Sequence, residues 1–237
     1  ALGLTPHLSL ILAFGLVALF PLIGLGTTTA FFNEPKRAPA MPGRALTRMK
    51  EMFSNVKVVL AYAGKNRKFG VMLFIGSVVR TDTVITGSFL ALWIVNAGHS
   101  SGVDAITATL TAGTVASIRF VAKVIGAPLF GLITDKINRV LMMLLSLAFM
   151  TFAFGYIGLI TNVFGQAMMI GAAIIGFAES AEAIASQSLI AQEAPPQFRG
   201  SSVGVFTFLG TLTLIVINLA GGYLFYKVGF NSPLLME

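Results

Sequence analysis

Two carboxylates, Glu179 and Glu182, lie near the middle of an almost uninterrupted stretch of apolar and small residues, at about 164–192. A stretch of this length can cross a bilayer as a helix, and residues three positions apart share one helical face. A charge at that depth costs at least ~2.5–3.5 kcal/mol on insertion scales, so it must face a cavity or a partner. The two side chains are therefore candidates for carrying a proton or another ion. The alternative interpretation is an ion pair that only holds two helices together.

Four more charged residues lie inside other apolar stretches, Arg80 and Asp82 in one and Arg119 and Lys123 in another. Arg119 and Lys123 are one helical turn apart and share a face. Arg80 and Asp82 are two apart and point to different faces, so they are not expected to neutralise each other simply. With the two glutamates they make three cations and three anions, and mutual pairing lowers the cost of burying such a set.

The composition is that of a membrane protein. Hydrophobic residues make up 56% of the 237 residues and charged residues only 11%, whereas a soluble domain carries about 25% charged residues. The sequence has no cysteine, and its two histidines, His7 and His99, are too far apart for a metal site. It also lacks a phosphate-binding G-x-x-x-x-G-K motif and any constellation of nucleophile and base. We therefore expect no metal, no cofactor and no enzymatic activity.

Hydropathy divides the chain into six predicted membrane-spanning helices, which indicates an all-α polytopic membrane bundle. The predicted spans are residues 8–32, 69–97, 104–134, 140–160, 164–192 and 201–226. This division gives three parts: a first span within 1–32, a connector at 33–68, and a five-span bundle at 69–237.

The connector is strongly basic, because nine of the sixteen Lys and Arg residues lie between Lys36 and Lys68. The net charge of +7 is therefore a topology signal rather than a nucleic-acid-binding surface. By the positive-inside rule the connector is cytoplasmic, and the bacterial inner (plasma) membrane is the expected location.

Apolar residues recur at helical spacing in the second part of the connector: Leu46, Met49, Phe53, Val56 and Leu60. They predict an amphipathic helix that either lies on the cytoplasmic membrane surface or packs beneath the bundle. Neither reading implies chemistry.

The loop after the third span has the pattern G-x-x-x-D-K-x-N-R, formed by Gly131, Asp135, Lys136, Asn138 and Arg139. Asp135 can pair with a neighbouring cation across a tight loop, and Asn138 tolerates the left-handed conformation that ends a helix. The pattern resembles the G-x-x-x-D-[RK]-x-G-R loop signature of the major facilitator superfamily, with an asparagine in place of the usual glycine.

The resemblance implies where the chain fits in a fold of twelve spans arranged as two halves. The first span resembles the sixth, the connector resembles the central loop, and the signature follows the span that resembles the eighth. Pro196, Arg199 and Gly200 are similar to the loop between the tenth and eleventh spans. We expect the chain to be a piece of a longer protein, with its first five spans and its last span missing from it.

The resemblance also implies transport of a small solute by alternating access. Proton coupling is expected from the buried carboxylates, and the balance of charge favours an anionic or zwitterionic solute. The expected coupling residues are Glu179, Glu182 and Asp82, with Arg119 as the partner of Glu179. The expected substrate contacts are Arg80, Arg119, Lys123 and Asn218, although Lys123 could instead be a gate cation. The expected cytoplasmic gate consists of Gly131, Asp135, Lys136, Arg139 and Arg199.

A membrane protein of the same fold that does not transport is the alternative. Half a transporter in isolation cannot enclose a path with two sides, so the chain could instead be an accessory or assembly subunit of a larger complex. The partners expected from the transport reading are the lipid bilayer, a small-molecule substrate and the missing N-terminal half.

Overall fold

The computed structural model describes residues 21, 22, 25 and 44–227, leaving aside the side chains of 44–49, 51 and 52. The chain forms two compact units, Ala1–Met49 and Lys50–Glu237. In the first unit the described residues are helical. Apart from residues 21, 22 and 25, the predicted span at 8–32 lies outside the described residues.

Helices make up almost all of the described chain, and it contains no strand. The helices are α1 (Arg44–Lys65), α2 (Arg67–Val78), α3 (Asp82–Val84), α4 (Leu90–Ser100), α5 (Ala105–Thr134), α6 (Arg139–Gly158), α7 (Gln166–Glu193) and α8 (Arg199–Lys227). Five stretches are long and apolar enough to cross a membrane: Arg67–Ser100, Ala105–Thr134, Arg139–Gly158, Gln166–Glu193 and Pro196–Lys227. They coincide closely with five of the six predicted spans, which confirms the predicted all-α membrane bundle.

Polar side chains fix where the long helices begin. The Asp104 carboxylate caps α5 by accepting from the backbone N–H groups of Ile106 at 3.2 Å and Thr107 at 3.4 Å. Asn138 caps α6 in the same way and accepts from the Val140 N–H at 2.8 Å. Its backbone is extended, with φ −61° and ψ 129°, so the expectation of a left-handed residue ending the preceding helix is wrong. An N-terminal cap binds an N–H that the first helical turn leaves without a partner.

The stretch Arg67–Ser100, which we call the broken span, is not one continuous α-helix. After α2 the chain forms a 3₁₀ turn at Val79–Thr81, and between α3 and α4 it forms a π-helix at Ile85–Phe89. A 3₁₀ turn is wound more tightly than an α-helix and a π-helix less tightly, and both are found at functional positions. The hydropathy pattern predicts the span but not the break.

Small residues allow α5 and α7 to lie close together. A Cβ added to Gly176 of α7 would overlap the Arg119 carbonyl oxygen of α5 and would lie 2.8 Å from the Cβ of Ala122. One added to Gly126 of α5 would overlap the Ser180 hydroxyl of α7. Membrane helices approach this closely where small residues line the contact. Polar side chains on the two helices therefore come within hydrogen-bonding reach.

The second part of α1 packs against the bundle. Val59 is fully buried in a cluster with Phe69 and Phe206, and the ring of Tyr62 lies 5.2 Å from that of Phe69 between centroids. Phe53 of the predicted apolar face stays 65% exposed. The end of α1 therefore packs beneath the bundle. Phe53, earlier in the helix, is exposed and can contact a lipid surface.

Candidate functional site

The buried carboxylate of Glu179 binds two cations from α5. Its Oε1 lies 2.8 Å from Nη1 of Arg119, and its Oε2 lies 2.9 Å from Nζ of Lys123. The side chains of Arg119 and Glu179 are 3% and 0% exposed, whereas that of Lys123 is 32% exposed. Each carboxylate oxygen therefore serves a different cation, and only the Lys123 end of the cluster is accessible.

Thr86 completes the cluster from the π-helix of the broken span. Its hydroxyl lies 2.7 Å from Glu179 Oε1 and accepts a hydrogen bond from Arg119. Sequence reasoning missed this residue, because a single threonine in an apolar span has no distinguishing pattern. Its position four residues after Asp82 is the signal that could have found it, since i and i+4 share a helical face.

Arg80 packs against α8. Its guanidinium carbon is 4.9 Å from the centre of the Phe206 ring, and a Cβ on Gly210 would come within 2.6 Å of the Arg80 Cδ. Among the described residues, no carboxylate lies within 4.0 Å of this guanidinium. The Phe206 ring and the space beside Gly210 thus accommodate a cation that forms no ion pair within 4.0 Å with a described carboxylate.

Asp82 forms no ion pair with Arg80 within 4.0 Å, as its spacing predicts. Its Oδ1 accepts hydrogen bonds from the backbone N–H of Thr83 and, at 3.0 Å, from the Thr83 hydroxyl. The residue is 5% exposed. The local hydrogen bonds partly compensate for burying this carboxylate.

These groups surround one cavity of about 150 Å³ between the broken span, α5, α7 and α8. Its charged lining residues are Arg80, Asp82, Lys123 and Glu179. Ser186, Gln187 and Thr83 add polar atoms, and Phe206 forms part of the wall. The cavity is large enough for a few water molecules or a small polar group.

Glu182 lines a different cavity from Glu179. That second cavity, of about 250 Å³, lies between α2, α6 and α7, and its other lining residues are apolar apart from Thr151. Residues three apart on a helix differ by about 60° around the axis. On α7 this difference is enough to direct the two carboxylates towards different neighbouring helices.

Asn218 does not join the charged cluster. It is exposed on α8, and its side-chain amide donates to the Leu214 carbonyl of its own helix at 3.0 Å. The structure therefore gives it no contact with the other predicted substrate-binding residues.

The predicted gate residues lie at the ends of α5, α6 and α8. Arg139 donates to the Ser188 carbonyl of α7 at 3.1 Å, and Asp135, Lys136 and Arg199 are exposed. Both ion pairs found within 4.0 Å in the described chain belong to Glu179, so Asp135 is not paired across the loop here. Arg139 instead links the start of α6 to α7.

No group of three or more His, Asp or Glu side chains in the described residues could hold a metal ion.

Five apolar spans around a buried cluster of charges define a polytopic membrane protein. The chain belongs to the major facilitator superfamily, because the family model described as Major Facilitator Superfamily matches residues 72–237. This match covers more than half of the chain and all five described spans except the start of the first. Members of this superfamily are transporters rather than enzymes.

The chain is also similar to a protein named Magnetosome protein MamH from Paramagnetospirillum magneticum. The two are 26% identical over 154 residues, which is 65% of this chain and 36% of that protein. The matched part thus spans about a third of the length of the relative.

Proposed function

We propose that the chain forms part of a secondary active transporter that moves a small anionic solute by alternating access and couples this movement to protons. The observation that carries the proposal is the position of Arg80. Arg80 is half-buried, forms no ion pair within 4.0 Å among the described residues, and lines the same cavity as the Glu179 cluster. An anionic group entering that cavity supplies the missing counter-charge.

Protons enter the mechanism through competition for Lys123. Ionised Glu179 occupies both Arg119 and Lys123, so neither cation is available to a solute. A proton on Glu179 removes its negative charge and weakens both ion pairs. Lys123, the accessible cation of the two, then binds the anionic solute together with Arg80. When the proton leaves, the Glu179–Lys123 pair forms again and the solute is released. The proton and the solute therefore cross the membrane in the same direction.

The remaining carboxylates and the loop residues take secondary roles. Asp82 lines the same cavity and adds a second proton acceptor, while Glu182 serves the cavity between α2, α6 and α7. Asn218 contacts solute at a later stage from α8. We assign the cytoplasmic gate to Gly131, Asp135, Lys136, Arg139 and Arg199.

Alternating access requires a second wall for the central cavity. We propose that an N-terminal half of the same protein provides it and that the whole lies in the bacterial inner membrane with the basic connector in the cytoplasm. The similarity to a protein of which the matched part is 36% supports a longer polypeptide.

The test uses full-length protein in proteoliposomes that contain a trapped pH-sensitive dye. Inorganic phosphate, succinate, citrate and glutamate are each added outside, together with the cations choline and lysine as contrasts. At least one anion should acidify the lumen, and neither cation should. Arg80→Gln should lose this response, whereas Lys65→Gln, a change to an exposed cation of α1, should keep it. Acidification by the cations alone, or by no solute, would contradict the proposal.

A second candidate comes from the name of the relative. That name places the relative in the magnetosome, and by analogy the chain could be an accessory or assembly subunit of such a membrane compartment. A protein that moves none of these solutes but purifies with a stable partner would favour this candidate.

A further inference from the structure

The Thr86 hydroxyl has one hydrogen and two acceptors within reach. Its Oγ1 lies 2.7 Å from Glu179 Oε1 and 2.7 Å from the backbone carbonyl oxygen of Asp82. A hydroxyl donates only one hydrogen bond at a time. It therefore binds either the carboxylate of α7 or the carbonyl of its own span, and these two states exclude each other.

The charge on Glu179 decides between the two acceptors. A carboxylate accepts a hydrogen bond about twice as strongly as a neutral group, so ionised Glu179 holds the hydroxyl. A protonated Glu179 loses this advantage, and the Asp82 carbonyl then becomes the better acceptor. The second choice is the ordinary one for a threonine in a helix, four residues after the carbonyl.

The Asp82 carbonyl lies three residues before the π-helix, at the start of α3. It also accepts the backbone N–H of Ile85 in a tight 3₁₀-type turn. The N–H of Leu90 then reaches back five residues to the Ile85 carbonyl in a wide π turn. When the hydroxyl donates to Glu179, the π-helix is tied to α7. When it turns back to Asp82, the tie to α7 is absent, and the side chain of Thr86 keeps only the hydrogen bond that it accepts from Arg119 of α5.

We propose that Thr86 is a positioning residue that transmits the charge state of Glu179 to the break in the broken span. This inference rests on the proton role of Glu179 in the proposed function, and it names how that site communicates with the backbone. The charged groups around Glu179 are Arg119 and Lys123 of α5 and Arg80 and Asp82 of the broken span, with Glu182 following on α7. Among the residues lining its cavity, the described part of α8 contributes no charge.

Hydrogen–deuterium exchange of the full-length protein in lipid nanodiscs tests the proposal at one fixed pH and without substrate. The segment followed is 82–90. Glu179→Gln and Thr86→Val should each speed its exchange by about tenfold, the effect of one hydrogen bond to a charged group. The double variant should exchange no faster than Thr86→Val alone, because that variant already lacks the hydrogen bond to Glu179. Thr86→Ser retains the hydroxyl and should behave as the natural protein does.

Thr109→Val is the matched control, since the Thr109 hydroxyl binds only the Ala105 carbonyl of its own helix at 2.8 Å. It should leave the segment 82–90 unchanged. Additive effects of the two variants, or an unchanged rate in Thr86→Val, would overturn the proposal. If Thr86→Val does not fold, Thr86→Ala takes its place in the same cycle, and an unchanged rate in Glu179→Gln alone overturns it as well.

The exchange experiment and the transport experiment test separate claims, and each claim can be refuted without the other. A protein that still concentrates its solute after Glu179→Gln refutes the proton role but leaves the measured tie between Thr86 and Glu179 intact. A protein whose transport depends on Glu179 while the segment 82–90 ignores Thr86 refutes only the transmission.

Discussion

Arg119 and Glu179 form a buried ion pair of 2.8 Å across sixty positions of sequence. The pair joins the middles of two long helices, α5 and α7, inside a bundle whose other described contacts are almost entirely apolar. Lys123 binds the second oxygen of the same carboxylate at 2.9 Å. One carboxylate thus binds two cations, and the proposed proton coupling depends on this excess of positive charge.

Glu179→Gln should abolish proton-driven accumulation and leave counterflow exchange measurable. Glutamine keeps the shape and one acceptor oxygen but cannot take up a proton, so the coupling is lost while the path remains. Counterflow and gradient-driven uptake of the identified solute in proteoliposomes separate the two effects. Accumulation against a gradient by this variant would show that the carboxylate is only a packing ion pair.

Arg119→Gln should impair both folding stability and solute binding. Removing one partner of a buried ion pair leaves a charge without full compensation and costs about 3–5 kcal/mol of unfolding free energy. Denaturation of the purified protein in detergent measures the loss. The double variant Arg119→Gln with Glu179→Gln should recover part of the stability, because both buried charges are then gone. A double variant less stable than Arg119→Gln alone would contradict this account.

Asp135→Asn should change the rate of transport more than the affinity for solute. The exposed Asp135 lies at the end of α5, and its proposed role is to close the cytoplasmic side against another part of the protein. Initial uptake rates at several solute concentrations distinguish a lower maximal rate from weaker binding. Unchanged rates and unchanged accessibility from each side would make the loop motif purely structural.

Single cysteines at Ser54 and Ser100 should react from opposite sides of the membrane, with position 54 on the cytoplasmic side. The prediction follows from the distribution of Lys and Arg and from the odd number of spans between the two positions. Because the sequence contains no cysteine, labelling with a membrane-impermeant maleimide is specific. Reaction of both positions from the same side would overturn the topology.

Gly176→Ala should lower the free energy of unfolding by about 1–3 kcal/mol, the usual cost of overpacking a tight contact. The new methyl group would push α7 away from Arg119 and Ala122. Gly155→Ala is the matched control, because its Cβ would meet no atom within 4 Å. Thermal unfolding of both variants in the same detergent gives the comparison, and equal destabilisation would show that the contact tolerates the added volume.

Hydropathy was sufficient to predict the five described spans and the six charged residues within them, because a bilayer requires long apolar helices and makes each interior charge conspicuous. The break at Val79–Phe89 could not be predicted, since periodicity arguments assume a uniform helix of 3.6 residues per turn. Thr86 was missed because a single threonine in an apolar span has no distinguishing pattern. Glu179 and Glu182 share a helical face in the sequence pattern, but only packed neighbours show that the face spans two cavities.

The glycine contact between α5 and α7 restricts how the charged cluster can open. Gly176 lies against the Arg119 backbone and Gly126 against Ser180, so the two helices are in close contact at both positions. We therefore expect α5 and α7 to move together, and a proton or a competing anion to be what separates Arg119 from Glu179. Arg119 and Glu179 would then separate without any movement of α5 relative to α7, and the conformational change would take place in the neighbouring broken span.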